Sequence, residues 1–422
     1  MILTASIGFF LFLGKAEKIE IIIPNSYSNN SLEVSGASST QSGNNQIINK
    51  PAPKLTDIEN QKTLVNPPEI IKAIYLTSWS AGNSVKIKYL IDFKKTTEIN
   101  AVIIDLKDYS GYVAYNIQVP EVEKYEAKEI RIPFINRLIK QLHNEGIYVI
   151  GRITVFQDPR LSLARPDLTV KSKKTGDPWL DNKKLSWVDP AAKEAWDYNI
   201  AIAKETVSRG FDELNFDYIR FPSDDDLNDM SFPFWQKTRT DADFTQTNAD
   251  TNAETKSEVM RNFFKYLREQ LPGVKISADL FGLTTINQDD LGIGQVLENA
   301  YAYFDYVCPM VYPSHYASEF LGYKNPALYP YEVVKCSMEN AIKRLERFRI
   351  EINNSTSTEF LNSKFYIPNS KLRPWLQDFD LGADYNAEVV GKEIQAVYDA
   401  ATSTPELLNG WMLWNPSNIY SF

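Results

Sequence analysis

The sequence predicts an α/β fold, a single (β/α)8 TIM barrel preceded by an N-terminal apolar segment and a disordered linker. Eight apolar or alternating stretches read as strands, at residues 73–79, 101–107, 148–156, 213–221, 275–281, 306–312, 365–368 and 410–414. Helical periodicity fills most of the gaps, at residues 134–144, 191–208, 257–271, 291–302, 331–348 and 386–401. Within the fourth strand Glu213, Asn215 and Asp217 alternate with Leu214, Phe216 and Tyr218, which puts two carboxylates and an amide on one face. Such a row is costly inside a buried strand unless it meets partners or a wet site. Pro222 ends the strand, so Asp217 lies near its C-terminal end, the end at which parallel barrels carry their chemistry.

The elements ahead of the barrel follow from composition. Residues 2–13 form an apolar run too short for a comfortable membrane span and without a basic leader, and residues 1–23 read as a signal-anchor-like segment. Residues 24–68 turn to Ser, Asn, Gly, Gln and Pro and read as a disordered linker that carries the barrel, residues 69–422, away from its tether. The expected location is extracytoplasmic, at the cell surface or secreted, and the expected state is a monomer. A second polar, acidic stretch at residues 223–254 follows the Asp217 strand and reads as a solvated loop over the site. Asp189, ahead of Pro190, reads as the N-cap of the helix that follows.

Composition also excludes several functions. A net charge of −9 gives no basic surface for nucleic acid. Two histidines argue against a histidine-rich zinc site, and no Gly-x-Ser-x-Gly elbow supports a serine nucleophile. No cofactor and no resident metal are expected. The two cysteines form no disulfide framework, and Cys308, in an apolar run, reads as a free buried thiol. Aromatic residues make up 13% of the chain, a content that suits sugar faces as well as cores.

If the barrel closes, its strand ends bring together Asp105, Lys107 and Arg152, then Tyr218 and Arg220 beside Asp217, then Asp279, Tyr312, Trp375, Asp378 and Trp414. Acids, cations and indoles at one barrel mouth match a saccharide cleft. Cleaving a glycosidic bond needs one carboxyl held protonated for the leaving oxygen and one ionised to attack or to activate water. Asp217, kept ionised by Arg220, suits the second role. Asp279, set among Ala278, Leu280 and Phe281, suits the first. The remaining residues of the group are substrate-binding candidates. Structural roles compete for each: Asp217 as a plain ion-pair partner of Arg220 or Arg152, Lys107 as a salt-bridge partner of Asp105, and Glu213 as a buried partner of a lysine or arginine. Trp79, Trp375 and Trp414 could fill core as readily as stack on sugars.

These residues carry a resemblance. Gly-Phe-Asp-Glu-Leu-Asn-Phe-Asp-Tyr-Ile-Arg-Phe-Pro-Ser from Gly210, with Ile-Ile-Asp-Leu-Lys-Asp upstream and Arg-Pro-Trp-Leu-Gln-Asp-Phe downstream, resembles a bacterial family described as "putative glycosyl hydrolase domain". The resemblance runs from about Lys72 to the C-terminus and implies a glycoside-hydrolase-like barrel. By similarity to retaining barrel glycosidases it implies Asp217 as nucleophile and a later strand-end acid as proton donor, although the spacing of Asp217 and Asp279 allows retention or inversion; the expected substrate is a cell-surface or extracellular polysaccharide. Two alternatives stay open: a glycan-binding barrel without catalysis, and a divalent metal held by Asp105, Asp217 and Asp279.

Overall fold

A computed structural model describes residues 56–235, 254–354, 367 and 369–421. Eight parallel strands close a barrel, numbered here in chain order. They are β1 (Ile71–Leu76), β2 (Ala101–Lys107), β3 (Tyr148–Thr154), β4 (Glu213–Asp217), β5 (Ile276–Phe281), β6 (Tyr306–Met310), β7 (Trp375–Gln377) and β8 (Gly410–Trp414). Closure is made by β8 pairing with β1, with Ile71 opposite Gly410. Gly410 sits at φ +83°, and a Cβ there would lie 1.8 Å from the Ile71 carbonyl oxygen, so only glycine lets the two strands meet.

Helices packed outside include α1 (Ser84–Thr96), α2 (Ile135–Asn144), α3 (Lys193–Ser208), α4 (Lys256–Gln270), α5 (Leu297–Tyr301), α6 (Pro330–Asn354) and α7 (Ala387–Ala400). Two apolar clusters result. Outward strand residues such as Ile104, Val149, Leu214 and Leu280 pack on the helices, while Ala73, Ile103, Ile150, Cys308 and Met412 fill the barrel interior. This is the two-faced burial of a parallel barrel strand. Cys308 is a buried free thiol in that interior.

The structure corrects several expectations. The seventh strand is Trp375–Gln377, extended backward by the pairing of Lys371–Leu372 with β6. Of residues 365–368, only Ile367 is described, and it is not in a strand; Phe365, Tyr366 and Pro368 lie outside the described residues. The helix expected at residues 291–302 is only the short α5, because Leu291, Gly292 and Gly294 take left-handed backbone ahead of it. Asp189 does not cap α3, whose cap is Ala192; its carboxylate accepts from the Ala191 amide at 2.9 Å and the Phe234 amide at 2.7 Å, tying the loop after β4 to the barrel.

Residues 57–68 are not the free linker that composition suggests. Asp57 Oδ2 accepts from the Asn136 amide at 2.8 Å and caps α2 from outside, since Phe134 offers no side-chain cap. The Gln61 amide donates to the Arg209 carbonyl at 3.0 Å, and the Leu64 amide to Asp212 Oδ1 at 2.6 Å. Gly210 permits this strap, because a Cβ there would lie 2.5 Å from the Gln61 carbonyl oxygen. Residues 1–55 and 236–253, which hold the apolar segment and most of the acidic loop, lie outside the described residues. Among those described, no helix is long and apolar enough to cross a membrane.

Candidate active site

Strand register builds the site. Asp105 of β2 stands opposite Arg152 of β3, Arg152 opposite Asn215 of β4, and Asn215 opposite Ser277 of β5. Phe216 stands opposite Ala278, so Asp217 and Asp279 come next along the same two strands. All of these but Phe216 and Ala278 share the inward parity and converge on the barrel axis.

Arg152 is the hub. Its Nη1 donates to Asp105 Oδ1 at 2.5 Å and its Nη2 donates to Asp217 Oδ2. Its Nε stands 3.7 Å from Asp279 Oδ2, and this N–H is buried without a hydrogen-bond partner. Burial alone would lower the Arg152 pKa, but the Asp105 and Asp217 carboxylates outweigh it and hold it well above its ordinary value. The guanidinium lies 5.4 Å from the Trp414 ring, which stacks on Tyr75 with centroids 4.0 Å apart. Tyr75 donates its hydroxyl to Asp105 Oδ2 at 2.5 Å, so both oxygens of Asp105 are engaged.

Asp279 has a different environment. Oδ1 accepts from Asn215 Nδ2 at 2.8 Å and from Trp375 Nε1 at 2.7 Å, while Oδ2 accepts no hydrogen bond. Burial, with the charge of Asp217 added, pushes its pKa up to about 8 in spite of Arg152. The shift favours the protonated carboxyl, and Oδ2 is the oxygen that accepts no hydrogen bond among the described residues. The buried Tyr312 hydroxyl feels both Asp279 and Asp217, and its ring packs edge-on against His315 and Phe379.

Asp217 ends β4, and Tyr218 follows it at φ +53°, a strained conformation for a bulky residue. The Tyr218 amide donates back to Asp217 Oδ1 at 2.5 Å. Strain of this kind persists only where its surroundings hold it, and here it aims the Asp217 carboxylate at Arg152. Arg152, and not Arg220, is therefore the cation that pairs with Asp217. Arg220 turns to Trp187, Tyr218 and Phe281, and its Nη1 donates to the Phe221 carbonyl and to Ser223 Oγ, each at 3.0 Å.

Two expected members are elsewhere. In β2 both Leu106 and Lys107 fit opposite a single step of β3, a bulge that carries Lys107 out of the barrel. Its Nζ is wholly buried in the helix layer, bonded to Asp158 at 2.8 Å, the Thr154 carbonyl at 2.6 Å and Asn199 at 3.1 Å. Asp378 faces away too: its carboxylate accepts from the Ser421 amide at 3.0 Å and pins the C-terminal segment. Glu213, one layer below Asn215, is paired with Arg373 at 2.8 Å as a buried ion pair. Trp79 is 62% exposed and lies over Arg131. Sequence reasoning missed Tyr75, whose inward parity beside Ala73 was the available signal, and Trp187, held over Arg220 by a loop with no periodicity.

Arg152 also answers the metal alternative. A guanidinium occupies the space among the three aspartates, and no group of three His, Cys, Asp or Glu among the described residues could hold a metal ion.

The family whose description is "Putative glycosyl hydrolase domain" matches residues 73–420, nearly the whole barrel. The chain belongs to this family. No curated protein matches it. Among solved structures, a hypothetical protein from Ruminiclostridium thermocellum is 39% identical over 52% of this chain and 98% of its own, with a TM-score of 0.42. A β-N-acetylhexosaminidase from Bacteroides fragilis is 10% identical, covering 84% of this chain and 62% of its own, with a TM-score of 0.46. An exo-β-N-acetylglucosaminidase from Vibrio harveyi, solved with N-acetylglucosamine, is 12% identical over 83% and 52%, with a TM-score of 0.46.

Proposed function

We propose that this glycosyl-hydrolase-like barrel cleaves glycosidic bonds in a polysaccharide, with Asp217 and Asp279 as the working pair. The observation that carries the reading is the split between the two carboxyls. One guanidinium neutralises Asp217, while Asp279 is held protonated by burial and by the charge beside it. A carboxyl with a raised pKa beside an ion-paired carboxylate suits the acid role of the one and the nucleophile role of the other.

In the forward step Asp279 gives its Oδ2 proton to the leaving glycosidic oxygen as the C–O bond breaks, and Asp217 attacks the anomeric carbon in a retaining reaction. The carboxylate left at Asp279 is stabilised by the Asn215 and Trp375 donors on Oδ1, and the unpartnered Arg152 Nε–H stands ready beside Oδ2. Water then enters, Asp279 takes its proton as the water oxygen bonds to the anomeric carbon, and the bond to Asp217 breaks to free the sugar. Asp105 and Tyr75 position Arg152, while Trp414, Tyr312 and Tyr218 border the sugar. The apolar run at residues 2–13 and the polar stretch that follows it support a tethered or secreted protein acting on a cell-surface or extracellular polymer.

Digestion of a broad polysaccharide panel tests the reading. Wild type releases new reducing ends from at least one polymer and Asp217→Asn releases none, while both melt cooperatively at similar temperature. Binding of a glycan with no cleavage by wild type across the panel would favour the glycan-binding barrel instead.

A further inference from the structure

Arg220 is the buried cation that the acid pair does not use. It is 8% exposed, and among the described residues it makes no ion pair. Only Nη1 is engaged, by the Phe221 carbonyl and Ser223 Oγ. Nη2 and Nε donate to no group among the described residues, and neither is among the sealed polar atoms that lack a partner. Of the acids whose charges reach it, Asp217, Asp224 and Asp181, none makes an ion pair with it among the described residues, and Asp217 is paired with Arg152. Asp181 spends Oδ1 on the Lys183 and Leu185 amides and Oδ2 on Gln157 and Trp187. Asp224 influences Arg220 only through space.

Three rings hold the guanidinium in place, with centroids 4.8 Å away at Trp187, 5.2 Å at Tyr218 and 4.7 Å at Phe281. A charge removed from water without a counter-ion is unfavourable unless a partner arrives. The planar fork of arginine matches an oxyanion with two acceptor oxygens, and ring stacking leaves its edge free to bind one. Asp217, three residues earlier in the chain, is near enough for its charge to reach Arg220.

We infer that Arg220 recognises a negatively charged substituent, a carboxylate or a sulfate ester, on a sugar bound next to Asp217, so that the substrate is an acidic polysaccharide. This rests on the saccharide reading of the cleft. With a net charge of −9 the chain offers no long-range attraction for such a polymer, so the preference resides in this contact.

The test is calorimetric binding to the full chain, using oligosaccharides of polygalacturonate, alginate and chondroitin sulfate, each beside its carboxyl-reduced or desulfated counterpart. For wild type, removing the charge weakens binding of at least one pair about tenfold or more. Arg220→Gln brings the two members of that pair within about twofold, and Arg220→Lys falls between because it keeps a charge without the fork. Which counterpart loses affinity distinguishes carboxylate from sulfate. Equal binding of all pairs by wild type, failure of every charged oligosaccharide to bind, or an undiminished preference in Arg220→Gln overturns the inference. Should Arg220→Gln fail to fold, the wild-type and Arg220→Lys comparisons still decide. Cleavage of neutral glycans only would remove this inference and leave the hydrolase reading standing; charged binding without cleavage would do the reverse.

Discussion

Trp375 on β7 donates its indole N–H to Asp279 Oδ1 on β5 at 2.7 Å, reaching across the strand between them. The bond favours the ionised carboxyl, so it limits how far burial and Asp217 raise the Asp279 pKa. Trp375→Phe removes the donor and keeps a large ring. The basic limb of the pH–rate profile should then move up by about one unit. An unmoved limb would show that Asp279 is not the group that titrates there.

Asp279 also ties stability to pH. Its folded pKa of about 8 lies above the unfolded value, so the folded state holds the proton more tightly. Stability is therefore lost as pH rises between about 4 and about 8, by up to ~1.4 kcal/mol per unit from this group. Asp279→Asn mimics the protonated form, so its melting temperature relative to wild type should climb from pH 5 to pH 8. Parallel melting curves over that range would contradict the shift.

Lys107 and Asp158 form a wholly buried ion pair away from the cleft. Lys107→Met strands a buried carboxylate and should lower stability by roughly 3–5 kcal/mol, read by denaturant unfolding. The kcat/KM of the folded fraction should stay near wild type. A large loss of turnover with little loss of stability would return Lys107 to the cleft.

Asp57 supplies the cap that α2 lacks, and Asp57→Ala should cost about 1 kcal/mol. Removing residues 1–66 strips the Asp57, Gln61 and Leu64 bonds and should lower the unfolding free energy below that of the chain lacking only residues 1–56. Equal stability of the two truncations would mean the strap contributes nothing.

The barrel was legible because inward parity is a local property: Asp105, Arg152, Asn215 and Asp217 could be placed on one face by counting. The seventh strand was not, because Pro374 breaks it into Lys371–Leu372 and Trp375–Gln377, leaving no periodic run to see. Lys107 was misread because a bulge resets parity in mid-strand, and Asp378 because its partner, Ser421, is distant in sequence. For Asp279 the direction of the shift could be read, but the reason lay elsewhere. Ala278 and Leu280 point to the outer layer, and the raised pKa comes from burial in the barrel and from Asp217.

If the Asp217 and Asp279 carboxyls break the glycosidic bond, reducing-end release from the polymer the panel identifies shows it most directly. Asp217→Asn and Asp279→Asn should each lower turnover by roughly three orders of magnitude or more while binding the polymer and melting as folded proteins. Turnover within a few fold of wild type in either variant would contradict the account.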